Sequence, residues 1–107
     1  NKALIILKEN LNNLKIEDQS EIFNTKIITY FSKLNNKDKF EIIFFDPPFS
    51  ENFFIKELEI LKNLTILKEK HLIVIHREKK SKDNFGKIIN ILSTRNYGRS
   101  KIIFATF

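Results

Sequence analysis

The sequence predicts an α/β protein whose mostly parallel sheet is closed by a terminal antiparallel hairpin. Three observations predict it. Short runs of β-branched and aromatic residues alternate with segments of helical periodicity, the pattern of a sheet with helices packed on it. One such run, Phe40-Glu41-Ile42-Ile43-Phe44-Phe45, ends on Asp46-Pro47-Pro48-Phe49, and a new helical pattern follows. Near the end of the chain, Gly98-Arg99-Ser100 separates two strand-like segments and reads as a hairpin turn.

Taken in order, residues 1–14 form a predicted helix, with Leu4, Leu7, Leu11 and Leu14 at helical spacing and Lys8, Glu9, Asn12 and Asn13 between them. That stripe is expected to pack into a core. Polar residues 16–20 lead to a short apolar stretch, Glu21-Ile22-Phe23, read as a strand. Asn24-Thr25 can open the next helix, 26–34, although β-branched Ile27, Ile28 and Thr29 lower its propensity. Residues 35–39 read as a solvated turn. Five of the six residues from Phe40 to Phe45 are apolar, as in a buried strand, and two prolines then stop it because neither can donate to a ladder. A helix over 53–64 is expected to bury Phe54, Leu58 and Leu61. Residues 65–70 read as a connection, 71–76 as a strand, and 77–83 as a charged loop. A short helix follows over 84–92, weakened by Gly86. Residues 94–97 and 101–107 are the strands of the hairpin. No repeat or linker interrupts the chain, so residues 1–107 read as a single domain.

A chain of 107 residues can bury a core of modest size. It has no cysteine, which excludes disulfides and thiolate metal sites. No apolar stretch is long enough to span a bilayer and no signal-peptide pattern is present, so a cytoplasmic protein with no membrane partner is expected. A net charge of +6 favours a polyanionic partner, though a Lys- and Asn-rich composition without a binding role accounts for it equally well. The chain contains no methionine and opens on Asn1 inside a helical pattern, so it reads as a piece of a longer protein missing its front.

The strand, proline turn and helix around Asp46 place a carboxylate at the carboxyl end of a strand, where open α/β sheets bind ligands. Asp46-Pro47-Pro48-Phe49 in that setting resembles motif IV of the S-adenosylmethionine-dependent methyltransferases that modify exocyclic amines of bases. The chemistry accounts for the residue types. An aryl amine is a poor nucleophile because its lone pair is conjugated into the ring. The Asp46 carboxylate and the Pro47 carbonyl can both accept hydrogen bonds from the amine, favouring a pyramidal nitrogen aimed at the methyl donor. Pro47 and Pro48 stiffen the turn and keep competing N–H donors out, and Phe49 is suited to stack on an extruded base. A strand ending in a proline turn with a capping aspartate is the bland alternative.

The whole chain resembles, more specifically, the bacterial small-subunit (16S) ribosomal RNA methyltransferases that act on the N2 amine of a guanine. The likeness rests on Lys8-Glu9-Asn10-Leu11, Phe44-Phe45-Asp46-Pro47-Pro48-Phe49, Leu72-Ile73-Val74-Ile75-His76-Arg77-Glu78 and Tyr97-Gly98-Arg99-Ser100-Lys101-Ile102. It implies the carboxyl-terminal part of a Rossmann-like class I methyltransferase fold. It also implies S-adenosylmethionine as methyl donor with no metal, and ribosomal RNA or the small ribosomal subunit as partner. Two departures stand out. The family's glycine-rich cofactor loop has no counterpart, since the only glycines are Gly86 and Gly98, so this stretch alone is expected to form an incomplete cofactor pocket. Lys26 stands where the family commonly has an Asp or Asn facing the adenine amine. A lysine has donors only, leaving Ile27 for apolar or backbone contact.

Other candidates are read from the residues themselves. Lys79, Lys80, Lys82, Arg95, Arg99 and Lys101 can form a phosphate-binding rim, or an ordinary solvated loop and hairpin. Ser50, Glu51 and Asn52 follow the motif closely enough to touch substrate; helix capping explains them as well. His71 and His76 fall on opposite faces of a strand and cannot form a strand-borne metal pair, so each is read first as structural, with His76 near the substrate side. No Ser-His-Asp set is assembled from the sequence. The alternative functions are a DNA adenine-N6 methyltransferase and a non-catalytic RNA- or ribosome-binding remnant.

Overall fold

The computed structural model of the chain describes residues 1–35 and 39–107. It falls into two compact units, Asn1–Ser32 and Lys33–Phe107. The turn read over 35–39 has its central residues, 36–38, outside the described ones.

The first unit is helical. Helix α1 runs Lys2–Asn13, and the Asn1 side chain caps it by accepting from the Ala3 amide at 2.9 Å. It ends with Lys15 at φ 57°, where the Lys15 and Ile16 amides bond back to the Asn12 and Leu11 carbonyls. That is a Schellman closure with lysine in the place glycine usually takes. A 3-10 turn, Glu17–Gln19, follows, then helix α2, Ile27–Phe31, five residues long. The β-branched residues thus leave less helix than the periodicity over 26–34 suggests.

Two sequence expectations fail in this unit. Glu21-Ile22-Phe23 is not a strand, because a strand needs a ladder partner and none pairs with it among the described residues. Phe23 instead packs its ring against Tyr30, centroids 4.7 Å apart. The leucine stripe of α1 is not core either: no residue of α1 is buried, and Leu7 and Leu14 are 44% and 67% exposed. Inside this unit the helix meets only the segment after it, with Lys8, Leu11, Glu17, Ser20 and Ile22 around a shallow groove.

The second unit is a mixed four-stranded sheet. Strands β1 (Phe40–Phe45), β2 (Leu67–Glu78), β3 (Asn90–Tyr97) and β4 (Ser100–Thr106) lie in the order β1-β2-β4-β3, with helix α3 (Phe54–Leu64) between β1 and β2. β1 and β2 are parallel, joined through α3 as a parallel pair requires, and the two β4 pairings are antiparallel. The expected α/β architecture with its closing hairpin is therefore present. One face of the sheet carries Phe45, Ile73, Ile75, Ile103 and Ala105, all buried. Their shared face follows from the pairings Phe45↔Ile75, Ile75↔Ile103 and Ile73↔Ala105. Helix α3 supplies Phe54, Leu58 and Leu61 to the core, the three residues its periodicity singled out. Each such side chain contributes about 1.5–3 kcal/mol of burial. On the opposite face Ile42 and Phe44 are 65% and 60% exposed.

Three boundaries differ from the sequence reading. β2 begins at Leu67, inside the expected connection, and runs to Glu78, inside the expected charged loop. Residues 84–92 are not a helix. Asn84 Oδ1 accepts from the Gly86 amide, Gly86 turns at φ 56°, and the chain enters β3 at Asn90. Phe85 and Ile89 are buried, and the Phe85 ring meets Phe54 of α3 edge to face. The expected hairpin is present with longer strands: β3 begins at Asn90 rather than 94, and Ser100, read as part of the turn, opens β4 opposite Tyr97, with Gly98, at φ 56°, in the first turn position.

Candidate active site

Sheet register decides what meets Asp46. Phe45 pairs with Ile75, so Asp46 emerges beside His76 at the carboxyl end of the parallel pair. β4 runs the other way, which brings its first residue, Ser100, to the same end, opposite Glu78. His76 pairs with Ile102, and Ser100 lies diagonally across on the same face, within side-chain reach.

The result is a hydrogen-bonded line. His76 Nδ1 is 2.9 Å from Asp46 Oδ1, and His76 Nε2 is 2.8 Å from Ser100 Oγ. A carboxylate only accepts, so Nδ1 carries a proton and donates it to Asp46; in a neutral ring Nε2 then accepts from the Ser100 hydroxyl. The set that the sequence reading does not assemble is thus formed by three strands. His76 is mostly covered, with 26% of its side chain exposed, whereas 58% of the Asp46 side chain faces solvent. Phe49 meets the imidazole edge-on at 5.2 Å between centroids and stays 40% exposed.

The turn after Asp46 is held from beneath by Arg77. This guanidinium is 2% exposed, on the buried face with Ile73 and Ile75. Its Nε and Nη2 donate to Asp83 at 2.8 and 3.2 Å. Nη1 donates to the Pro48 carbonyl at 3.1 Å, and Nη2 also to the Phe49 and Glu51 carbonyls at 3.2 and 2.9 Å. The Phe54 ring lies beneath it, 4.6 Å away. Arg77 thereby occupies three acceptors of the turn and leaves the Pro47 carbonyl out. Asp46 Oδ2 has no partner among the described residues.

Sequence reasoning misses Arg77, because the charged run 77–83 reads as a loop. The available signal is the period-2 series Ile73, Ile75, Arg77, which sets a charge on the buried face of a strand, with Asp83 downstream to pair it.

The other sequence-derived residues are distributed as follows. Pro47 and Pro48 form the turn, closed by the Glu51 amide bonding to the Pro48 carbonyl at 3.0 Å. Ser50 sits exposed in that turn, and neither it nor Asn52 caps α3 through its side chain. Lys79, Lys80 and Arg99 line a cleft of about 380 Å³ with Glu78 and Gly98, where the Lys79 amide bonds to the Arg99 carbonyl at 2.7 Å. Lys82 is exposed, and Lys101 is turned to the Ser81 carbonyl. Arg95 pairs with Ile102, which puts it on the same sheet face as His76. Lys26 and Ile27 lie in the first unit, at the start of α2.

His71 is structural, as read: its Nδ1 bonds to the Lys68 carbonyl at 2.7 Å and its Nε2 accepts from the Phe107 amide at 3.0 Å. Two carboxyls are shifted. Burial at the start of α3, with Glu51 nearby, raises Glu57 above the usual carboxylate range. A hydrogen bond and the charge of Lys68 lower Glu41 on β1.

A family profile described as conserved hypothetical protein 95 matches residues 1–106. The chain belongs to the conserved hypothetical protein 95 family. Among its relatives is ribosomal RNA small subunit methyltransferase D of Buchnera aphidicola, 34% identical over 79 residues, which cover 74% of this chain and 40% of that protein. The protein of the same name from Haemophilus influenzae is 32% identical over 74 residues, covering 68% of this chain and 38% of its own. The chain thus spans about two fifths of the length of the curated relatives it matches. A Streptococcus pyogenes conserved hypothetical protein superposes with a TM-score of 0.83 at 21% identity, over 99% of this chain and 66% of its own, a likeness of fold. A Haemophilus influenzae structure provisionally classed as a methylase superposes with a TM-score of 0.70 at 25% identity, covering 92% of this chain and 62% of its own. The resemblance read from the sequence therefore holds at the level of family, and the second unit is part of a Rossmann-like methyltransferase fold.

Proposed function

We propose that the chain is the carboxyl-terminal, acceptor-binding portion of an enzyme that methylates the exocyclic N2 amine of a guanine in small-subunit ribosomal RNA, in the cytoplasm. The observation that carries this reading is the pair of acceptors left free at the end of β1. Arg77 takes the Pro48, Phe49 and Glu51 carbonyls while Asp46 Oδ2 and the Pro47 carbonyl stay out of its network. Names carried by family relatives support the RNA substrate.

Asp46 and the Pro47 carbonyl take the two N–H groups of the amine and turn its lone pair out of conjugation. Phe49, half exposed, offers a ring face to the extruded base. Asp46 accepts the proton that the nitrogen sheds once methylated. S-adenosylmethionine, when bound, supplies an electrophilic methyl group, so no metal and no covalent enzyme intermediate are needed. For that donor the chain offers Lys26 and Ile27. Ile27 is 38% exposed and fits an apolar contact, whereas the Lys26 ammonium cannot accept from an adenine amine. Lys79, Lys80, Lys82, Arg95 and Arg99, with Ser50 beside the motif, hold phosphate and position RNA.

The test is transfer of labelled methyl from S-adenosylmethionine by this chain and by its full reading frame. Small-subunit particles, free ribosomal RNA and duplex DNA are offered in parallel. Label is expected on RNA guanine from the full frame. Asp46→Ala is expected to abolish it while sparing most RNA affinity, and full activity in that variant would remove the role given to Asp46. Label on DNA adenine instead would assign the chain to the DNA-modifying relatives. Salt-sensitive RNA binding without transfer from either protein would leave a binding remnant.

A further inference from the structure

We infer that His76 and Ser100 are positioning residues for Asp46, a hydrogen-bonded line that fixes which carboxylate oxygen meets the substrate amine; this rests on the methyl-transfer reading above. Asp46 follows the last residue of β1 and is more than half exposed, so without a partner its carboxylate would turn freely. The His76 Nδ1–H, at 2.9 Å, engages Oδ1 and leaves Oδ2 for the amine. The Asp46 carboxylate, which only accepts, selects the ring form that carries a proton on Nδ1, and the Ser100 hydroxyl, 2.8 Å from Nε2, holds the other side of the ring. The ring is also steered from its side by Phe49, in edge contact at 5.2 Å, so base platform and carboxylate share one support.

Each part of the line is placed by a different strand. Asp46 follows β1, His76 is in β2, and Ser100 opens β4 after the Gly98 turn. The hairpin that carries the basic cleft residue Arg99 is thereby tied to the carboxylate through a single imidazole. Arg77, the next residue along β2, points to the buried face and fixes the backbone of the same turn. Adjacent residues of one strand therefore hold the motif from two sides. Arg77 sets its backbone, and His76 sets its side chain.

The experiment uses the full-length protein with methyl transfer to small-subunit RNA as one readout and the His76 tautomer, by ¹⁵N NMR, as another. His76→Phe keeps a ring beside Phe49 but removes the donor. It is expected to lower kcat by about 10- to 100-fold, the scale of a misplaced reacting group, with KM nearly unchanged. His76→Asn places an amide N–H where Nδ1–H was and is expected to restore most of kcat. Combining His76→Phe with Asp46→Ala should do no more than Asp46→Ala alone. The spectrum of the neutral ring should show the Nδ1–H tautomer, with a mixture in Asp46→Ala.

Unchanged kcat in His76→Phe, with Asp46→Ala inactive, would overturn the positioning role and leave the methyl-transfer reading standing. Transfer by Asp46→Ala at the wild-type rate would overturn both. An Nε2–H tautomer would overturn the hydrogen-bonded line whatever the activity.

Discussion

At the scale of single residues, Arg77 holds the backbone of the motif's turn through three of its carbonyls. A buried guanidinium is costly unless its donors are used, and here the fork is divided between one carboxylate and three carbonyls. Asp83 is itself 6% exposed, so removing its partner strands a buried charge. Arg77→Met is expected to cost about 3–5 kcal/mol of stability in urea unfolding of the full-length protein. Arg77→Lys keeps the charge but cannot span the same acceptors, and should fall between Met and wild type. A cost below about 1 kcal/mol in Arg77→Met would mean that the turn is held by its prolines alone. Neither the clamp nor the His76 line is a motif in the sequence, because each joins residues that only strand pairing makes neighbours.

At the scale of elements, the chain shows where local propensity and packing part. α3 follows its periodicity to the residue, since its apolar face meets a sheet face of matching character. Its end is less well suited. The helix closes on Thr65 at φ 53°, a left-handed conformation that a β-branched residue adopts at a cost. Thr65 is exposed, and among the described residues its hydroxyl bonds only to the neighbouring Leu64 carbonyl. Thr65→Gly is therefore expected to stabilise the protein by about 1 kcal/mol in thermal or urea unfolding, glycine being the usual residue there. A destabilised variant would show that the threonine hydroxyl outweighs the backbone strain. The segment 84–92 is the converse case. The expected helix gives way to a turn and the first residues of β3, which pair with β4, and Gly86 opposes a helix from the start.

At the scale of the whole molecule, the site is made by one end of a sheet. Asp46, His76, Ser100 and Arg95 share a face across four strands spaced about 4.8 Å apart, and the cleft of Lys79, Lys80 and Arg99 opens at the same end. Replacing Lys79, Lys80 and Arg99 by alanine together is expected to weaken RNA binding across sequences. The slope of log affinity against log salt should become shallower by about 0.7–0.9 for each phosphate that is no longer neutralised. An unchanged slope would place the RNA elsewhere and return these residues to a solvated surface. No helix among the described residues is long and apolar enough to cross a membrane.

The sequence by itself determined the strand, proline turn and helix around Asp46, the core face of α3 and the closing hairpin. Each rests on interactions between residues close in the chain: a period of two or 3.6, a fixed proline φ, a glycine turn. It also carried the family resemblance, because Asp46-Pro47-Pro48-Phe49 is contiguous. Only the tertiary structure decided that Arg77 lies in a strand with its charge buried, and that Ser100 reaches His76 from the far side of a hairpin. It also decided that Glu21-Ile22-Phe23 pairs with no strand among the described residues, and that β4, with Ser100 at its start, is the hairpin strand lying directly against β2. These depend on strand register and on which partners are present, and the order of residues along one segment does not encode either.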